Sequence, residues 1–152
     1  MMPERGARQG SALVLCHESR TRVHGPDERL CRWLVEEFTQ HFPESSGTGG
    51  DLEYLDTPVE IDIDLERGMR AVAGSVTVEM GQSMDWRTFR AERVELAGNS
   101  YELSDVFVPC SSGSIIIDGQ RLPGQPTLIE DDGKPGSSAF LAVAEVWSAT
   151  TR

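Results

Sequence analysis

The chain is 152 residues long and carries 25 acidic against 14 basic side chains, a formal net charge of −11. That length fits one domain able to bury a core without a disulfide or metal staple, and 38% apolar with 26% charged residues is the composition of a folded chain. The acidic excess repels phosphate backbones and anionic headgroups, and no Lys/Arg cluster overrides it, so neither nucleic acid nor a membrane surface is an expected partner.

No segment approaches the ~20 consecutive apolar residues of a membrane span. The apolar run at 12–15 is shorter than the roughly seven residues a secretory signal core needs. Cys16, Cys31 and Cys110 are odd in number and unrelated in spacing, which suits a reducing compartment, and a cytoplasmic protein is expected.

Residues 1–10 read as an irregular arm before a single domain at 11–152. Residues 11–16 form a short apolar run, long enough only for a strand, and 17–24 are polar. Gly25-Pro26-Asp27-Glu28 then marks a helix start, with Pro26 at the first helical position and two carboxylates in the first turn. The helix is predicted over 26–41, with Leu30, Cys31, Trp33, Leu34 and Phe38 on its buried stripe. Pro43 ends it, and residues 44–50 have the composition of a flexible loop.

Everything after Asp51 reads as strands. Residues 59–66 alternate, with Val59, Ile61, Ile63 and Leu65 on one side and Glu60, Asp62, Asp64 and Glu66 on the other. Residues 72–80 alternate again, and strands at 93–97 and 101–108 flank the turn signal Gly98-Asn99. Residues 115–117 are a short strand, 122–126 a proline-broken loop or edge, and 130–136 a turn. Residues 139–147 are apolar on both sides, which predicts a central strand covered on both faces.

Strands not separated by helices cannot make parallel crossovers. The fold predicted is therefore α+β: a mainly antiparallel sheet of about 7–8 strands, curled around or packed on the one helix. A β-sandwich with a capping helix is the alternative.

Two clusters invite chemistry. Cys16-His17-Glu18 with His24 offers a thiol, an imidazole and a carboxylate, the parts of an activated nucleophile. Neighbours on a strand point to opposite faces, however, so Cys16 and His17 diverge if the strand runs through them. Adding Cys31 makes a possible metal set, but its spacing matches no structural zinc pattern, and no metal is expected. The second cluster is the ladder of Glu60, Asp62, Asp64 and Glu66, whose carboxylates stand ~7 Å apart at the two-residue strand repeat. A straight ladder offers a calcium ion one or two ligands where it wants six to eight oxygens. A protein surface is the better reading. Residues 51–152 hold a net charge of −10 against −1 for residues 1–50, so the charge belongs to the strand region.

Residues 130–133 lack the spacing of a calcium loop, and residues 111–114, read as loop, lack a nucleophile elbow. No glycine-rich phosphate cradle is present, so no cofactor is expected. Trp86, beside Arg87 in a polar segment, is either a lid over the core or an exposed contact anchor. These readings converge on a non-catalytic cytosolic interaction module: an adaptor, an inhibitor or immunity-type binder of a basic protein, or an assembly subunit. Its expected binding residues are Glu60, Asp62, Asp64, Glu66 and Trp86. The alternatives are a small enzyme or ligand-binding roll using Cys16, His17, Glu18 and His24, and a structural subunit of a multi-protein particle.

Overall fold

The short apolar run Leu13-Val14-Leu15 sets the first strand of the computed structural model, which describes residues 10–39, 51–96 and 98–150. The chain divides into two compact units, Met1–Glu60 and Ile61–Arg152. The arm predicted at 1–10, save Gly10, and the loop predicted at 44–50 lie outside the described residues.

In the first unit, β1 (Leu13–His17) and β2 (Arg20–His24) form an antiparallel hairpin, with Cys16 opposite Thr21 and Leu13 opposite His24. Glu18 and Ser19 turn it with φ of 50° and 59°. Two successive positive φ values match the right-handed twist of the strands they join. Strand β2 falls in the stretch read as merely polar; Thr21 and Val23 are its buried side, and a lone valine is too weak a signal to reveal it. Asp27, not Pro26, begins the helix: its Oδ1 accepts the N–H groups of Arg29 and Leu30 at 2.9 and 3.1 Å. Pro26 precedes the cap. Helix α1 (Glu28–Trp33) passes into a π-helical segment, Leu34–Phe38, and Arg32 ties the two by bonding Glu28 at 2.9 Å and Glu36 at 3.5 Å. The predicted residues 40–41 of the helix lie outside the described residues. Cys31 is buried, but Trp33 is 41% exposed and stacks on Phe38 at 5.8 Å instead of entering the core. Strand β3 (Asp51–Leu55) then pairs in parallel with β2, giving the order β1-β2-β3. A helix does separate this pair, so the crossover rule holds; missing β2 hid the βαβ unit.

The second unit is strand after strand. Strand β4 (Val59–Asp64) straddles the division, followed by β5 (Gly68–Ala73), β6 (Val76–Ser83), β7 (Arg87–Leu96), β8 (Asn99–Ile117), β9 (Gln120–Arg121), β10 (Leu128–Asp131), β11 (Lys134–Ser137) and β12 (Phe140–Ala149). Seven of them share one sheet, ordered β12-β8-β6-β5-β4 with β7 and β9 also on β8; β10 and β11 pair separately. This mainly antiparallel sheet with one short helix is the α+β class the sequence predicts.

The strand β8 organises the sheet. Its 19 residues span about 60 Å. Strands β6 and β7 run in series along one side of it, from Val76 opposite Ile117 to Leu96 opposite Asn99. Residues 108 and 109 stand opposite the break between them, so Pro109, which lacks an N–H, interrupts no ladder there. The strands predicted at 101–108 and 115–117 are therefore one. Residues 111–114, read as loop, continue it, with Ser112 opposite Gly81 and Ser114 opposite Glu79. Strand β12 ends the order rather than lying at its centre, and Phe140 and Val146 are exposed. Apolar residues on both faces do not by themselves mean burial on both.

The buried hydrophobic residues of this unit are small: Ala71, Ala73, Val76, Val108 and Cys110, with Leu141 the largest. Meanwhile Ile61, Ile63, Trp86, Phe89, Leu128, Ile129, Phe140 and Val146 are all exposed.

Candidate interaction surface

Among the described residues, strand β4 has β5 as its one neighbour and so forms an edge of the seven-stranded sheet. Glu60 and Asp62 point to one side and are exposed; Ile61 and Ile63 point to the other and are 45% and 49% exposed. The expected ladder is shorter than four. The strand ends at Asp64, and Leu65, Glu66 and Arg67 form the turn that follows.

Asp64 is what closes that turn. Its Oδ1 accepts the N–H groups of Glu66 and Arg67, each at 2.9 Å, and its Oδ2 accepts Nε and Nη2 of Arg67 at 3.1 and 3.0 Å. The Arg67 N–H first, then its guanidinium, hold the carboxyl below the usual range. Asp64 is committed to the fold, whereas Glu60 and Asp62 remain available.

A shallow groove of about 410 Å³ crosses the same face of the sheet, from Asp62 and Asp64 over Arg70 and Glu79 to Ser112 and Arg121. Arg70 bonds Glu79 at 3.2 Å on the paired strand. The carboxylates thus share their face with Arg67, Arg70 and Arg121, all three supplied by other segments.

Trp86 is 65% exposed in the break between β6 and β7, so it is no lid over the core. Next to it, Arg87 bonds Asp85 at 2.7 Å and the Pro135 carbonyl at 2.9 Å, with its guanidinium 4.9 Å from the Phe107 ring centre. These ties fix the backbone beside the indole.

The residues of the alternative catalytic reading do not converge. Cys16 is exposed, with Sγ 3.7 Å from the Thr21 hydroxyl, while His17 on the opposite face lies 3.6 Å from Glu18. His24 is buried at the far end of the hairpin, three ladder steps or about 10 Å from Cys16. Cys31 is buried on the helix, and burial, helped by Asp27, pushes its thiol up. Among the described residues no three His, Cys, Asp or Glu side chains gather as a metal cluster, and no helix is long and apolar enough to cross a membrane.

Sequence reasoning missed Asp105. It is 9% exposed on β8, opposite Phe89 of β7 and opposite a bulge of β12 formed by Ala144 and Glu145. Its Oδ1 is buried without a hydrogen bond, and burial first, then Glu145, raises its pKa. Its signal in the sequence is an acid at the alternate position between Leu103 and Phe107.

No protein-family model, curated protein or solved structure matches the chain.

Proposed function

We propose that the chain is a non-catalytic, cytosolic protein-interaction module, acting as an adaptor, an inhibitor of a basic protein or an assembly subunit. It engages a basic protein partner rather than nucleic acid. The observation that carries this reading is strand β4, an edge strand with free carboxylates on one side and exposed isoleucines on the other. Exposed carboxylates on an edge attract cations and steer a basic partner into register. Exposed Trp86 supplies an aromatic of the kind that dominates interface energies. The further exposed apolar residues Phe89, Leu128, Ile129 and Phe140 favour the assembly-subunit form of the reading.

Pull-down from the native host tests it, using the wild-type chain and a Glu60→Ser/Asp62→Ser/Glu66→Ser variant that leaves Asp64 in place. Loss of a basic partner from the variant, and from the wild type at high salt, is the expected result. Equal recovery by both forms overturns the acidic-face reading.

A further inference from the structure

We infer that β4 receives an extended segment of the partner as an added strand, one in which Lys or Arg alternates with aliphatic residues. This deepens the interaction reading above and rests on it. The backbone comes first. Among the described residues β4 has a neighbour on one side only, so none of them supplies a ladder partner to the N–H and C=O groups along its other side. Its six residues contain no proline, a common device for closing an edge.

The side chains then say what can add there. On the polar side Glu60 and Asp62 are unengaged, and Asp64 follows in the same row. Every position of that row is acidic, so a second copy of β4 added antiparallel sets carboxylate against carboxylate at about 5 Å, and one added parallel through the same edge sets carboxylates against isoleucines. The row therefore opposes antiparallel addition of the chain's own copies by repulsion and parallel addition by mismatch, and a cationic strand turns the repulsion into attraction. On the other side Ile61 and Ile63 are about half exposed, and an added strand covers them only if it places aliphatic side chains there. Because strand side chains alternate, the two requirements fall on alternate residues of one segment, with main-chain bonds giving affinity and side chains giving specificity. Six residues of such a segment cover about 20 Å.

The full chain is titrated with three labelled peptides: Lys-Val-Lys-Val-Lys-Val, the same composition as Lys-Lys-Lys-Val-Val-Val, and Glu-Val-Glu-Val-Glu-Val. The alternating basic peptide is expected to bind at least tenfold tighter than the block peptide, with no binding by the acidic one. It should slow deuterium exchange at the amides of residues 59–64, and its affinity should fall tenfold or more in both Glu60→Ser/Asp62→Ser and Ile61→Ser/Ile63→Ser. Equal binding of the alternating and block peptides, or binding without new amide protection, overturns strand addition while leaving an acidic docking surface intact. No binding of any basic peptide overturns it as well. The expected peptide results, combined with equal host pull-downs from wild-type and acid-deleted chains, count instead against the proposed function.

Discussion

The Met1–Glu60 unit and the Ile61–Arg152 unit each bury an ionisable side chain without a hydrogen-bond partner, and the two are of opposite kinds. In the first, His24 on the central strand β2 leaves both ring nitrogens unpaired; burial, then Arg22, lowers its pKa against a weaker opposing pull from Glu53. In the second, Asp105 on β8 is raised by burial and by Glu145. The cause is shared, since burial disfavours whichever form is charged. The consequence is opposite: acid adds the unwanted charge to His24 and removes it from Asp105.

The largest effects expected concern how rigidly each unit holds its backbone. A Cβ on Gly68 would lie 1.9 Å from the Met80 carbonyl oxygen, at a φ of +117° that side chains rarely adopt. Backbone of a paired strand cannot withdraw, so Gly68→Ala is expected to cost about 4 kcal/mol or more and to abolish cooperative unfolding of the second unit. In the first unit a Cβ on Gly25 would meet Cys31 Sγ at 2.5 Å. That atom is a side-chain tip that a rotamer change can move, so Gly25→Ala should cost about 1 to 3 kcal/mol. Denaturant titration of both variants measures the contrast, and equal losses would erase it.

Next in size are the pH responses. The folded first unit holds a proton on His24 less tightly than the unfolded chain, whose ordinary value is 6.5. Its contribution is complete above that value and is lost as pH falls toward the lowered folded value. For Asp105 the folded state holds the proton more tightly than the ordinary 3.8, so its contribution is complete below that value and lost as pH rises through the raised one. Hydrogen exchange read separately at β2 and β8 should therefore show the first loosening in acid and the second tightening. His24→Leu should remove the acid loosening of β2 and add about 1 kcal/mol, since it deletes unpaired polar atoms. Asp105→Asn, which removes the charge but keeps a polar group, should add about 1 kcal/mol at neutral pH and flatten the slope of β8. Matching slopes in both units would break the comparison.

What the sequence revealed divides along the same line. Alternation over 59–64 and 76–80 was legible because period two is written in successive residues, and the antiparallel class followed from it, but the single strand expected at 72–80 is two, β5 and β6, joined by a tight turn at Gly74 and Ser75. The helix start was legible from Asp27 and Glu28, though the cap falls two residues later than a proline-first reading puts it. Strand β2 was hidden because Arg20, Arg22 and His24 alternate with only Thr21 and Val23. The length of β8 was hidden because Ser111, Ser112, Gly113 and Ser114 have loop composition and gain strand geometry only from their pairing with β6. In the candidate surface, the carboxylates could be read from local spacing, but not the edge position of β4 or the arginines beside it. Those depend on which strands pair, which local spacing does not encode.

The smallest effect on stability is expected where the effect on binding is greatest. Glu60 and Asp62 make no bond to the fold, and surface changes of this kind shift stability by about 0.5 kcal/mol or less. Asp64 stands in the same row with the same charge, yet it receives two backbone N–H groups and a bidentate guanidinium. Asp64→Ser should therefore lower the melting temperature more than Glu60→Ser/Asp62→Ser does. The stabilisation Asp64 supplies should be present above the ordinary carboxylate range and fade as pH falls through its lowered value. Partner binding should show the reverse order, lost in the double variant and largely kept in Asp64→Ser when assayed below its melting transition. If the double variant melts lower than Asp64→Ser, Glu60 and Asp62 belong to the fold as Asp64 does, and the division of one acidic row into a binding part and a structural part fails.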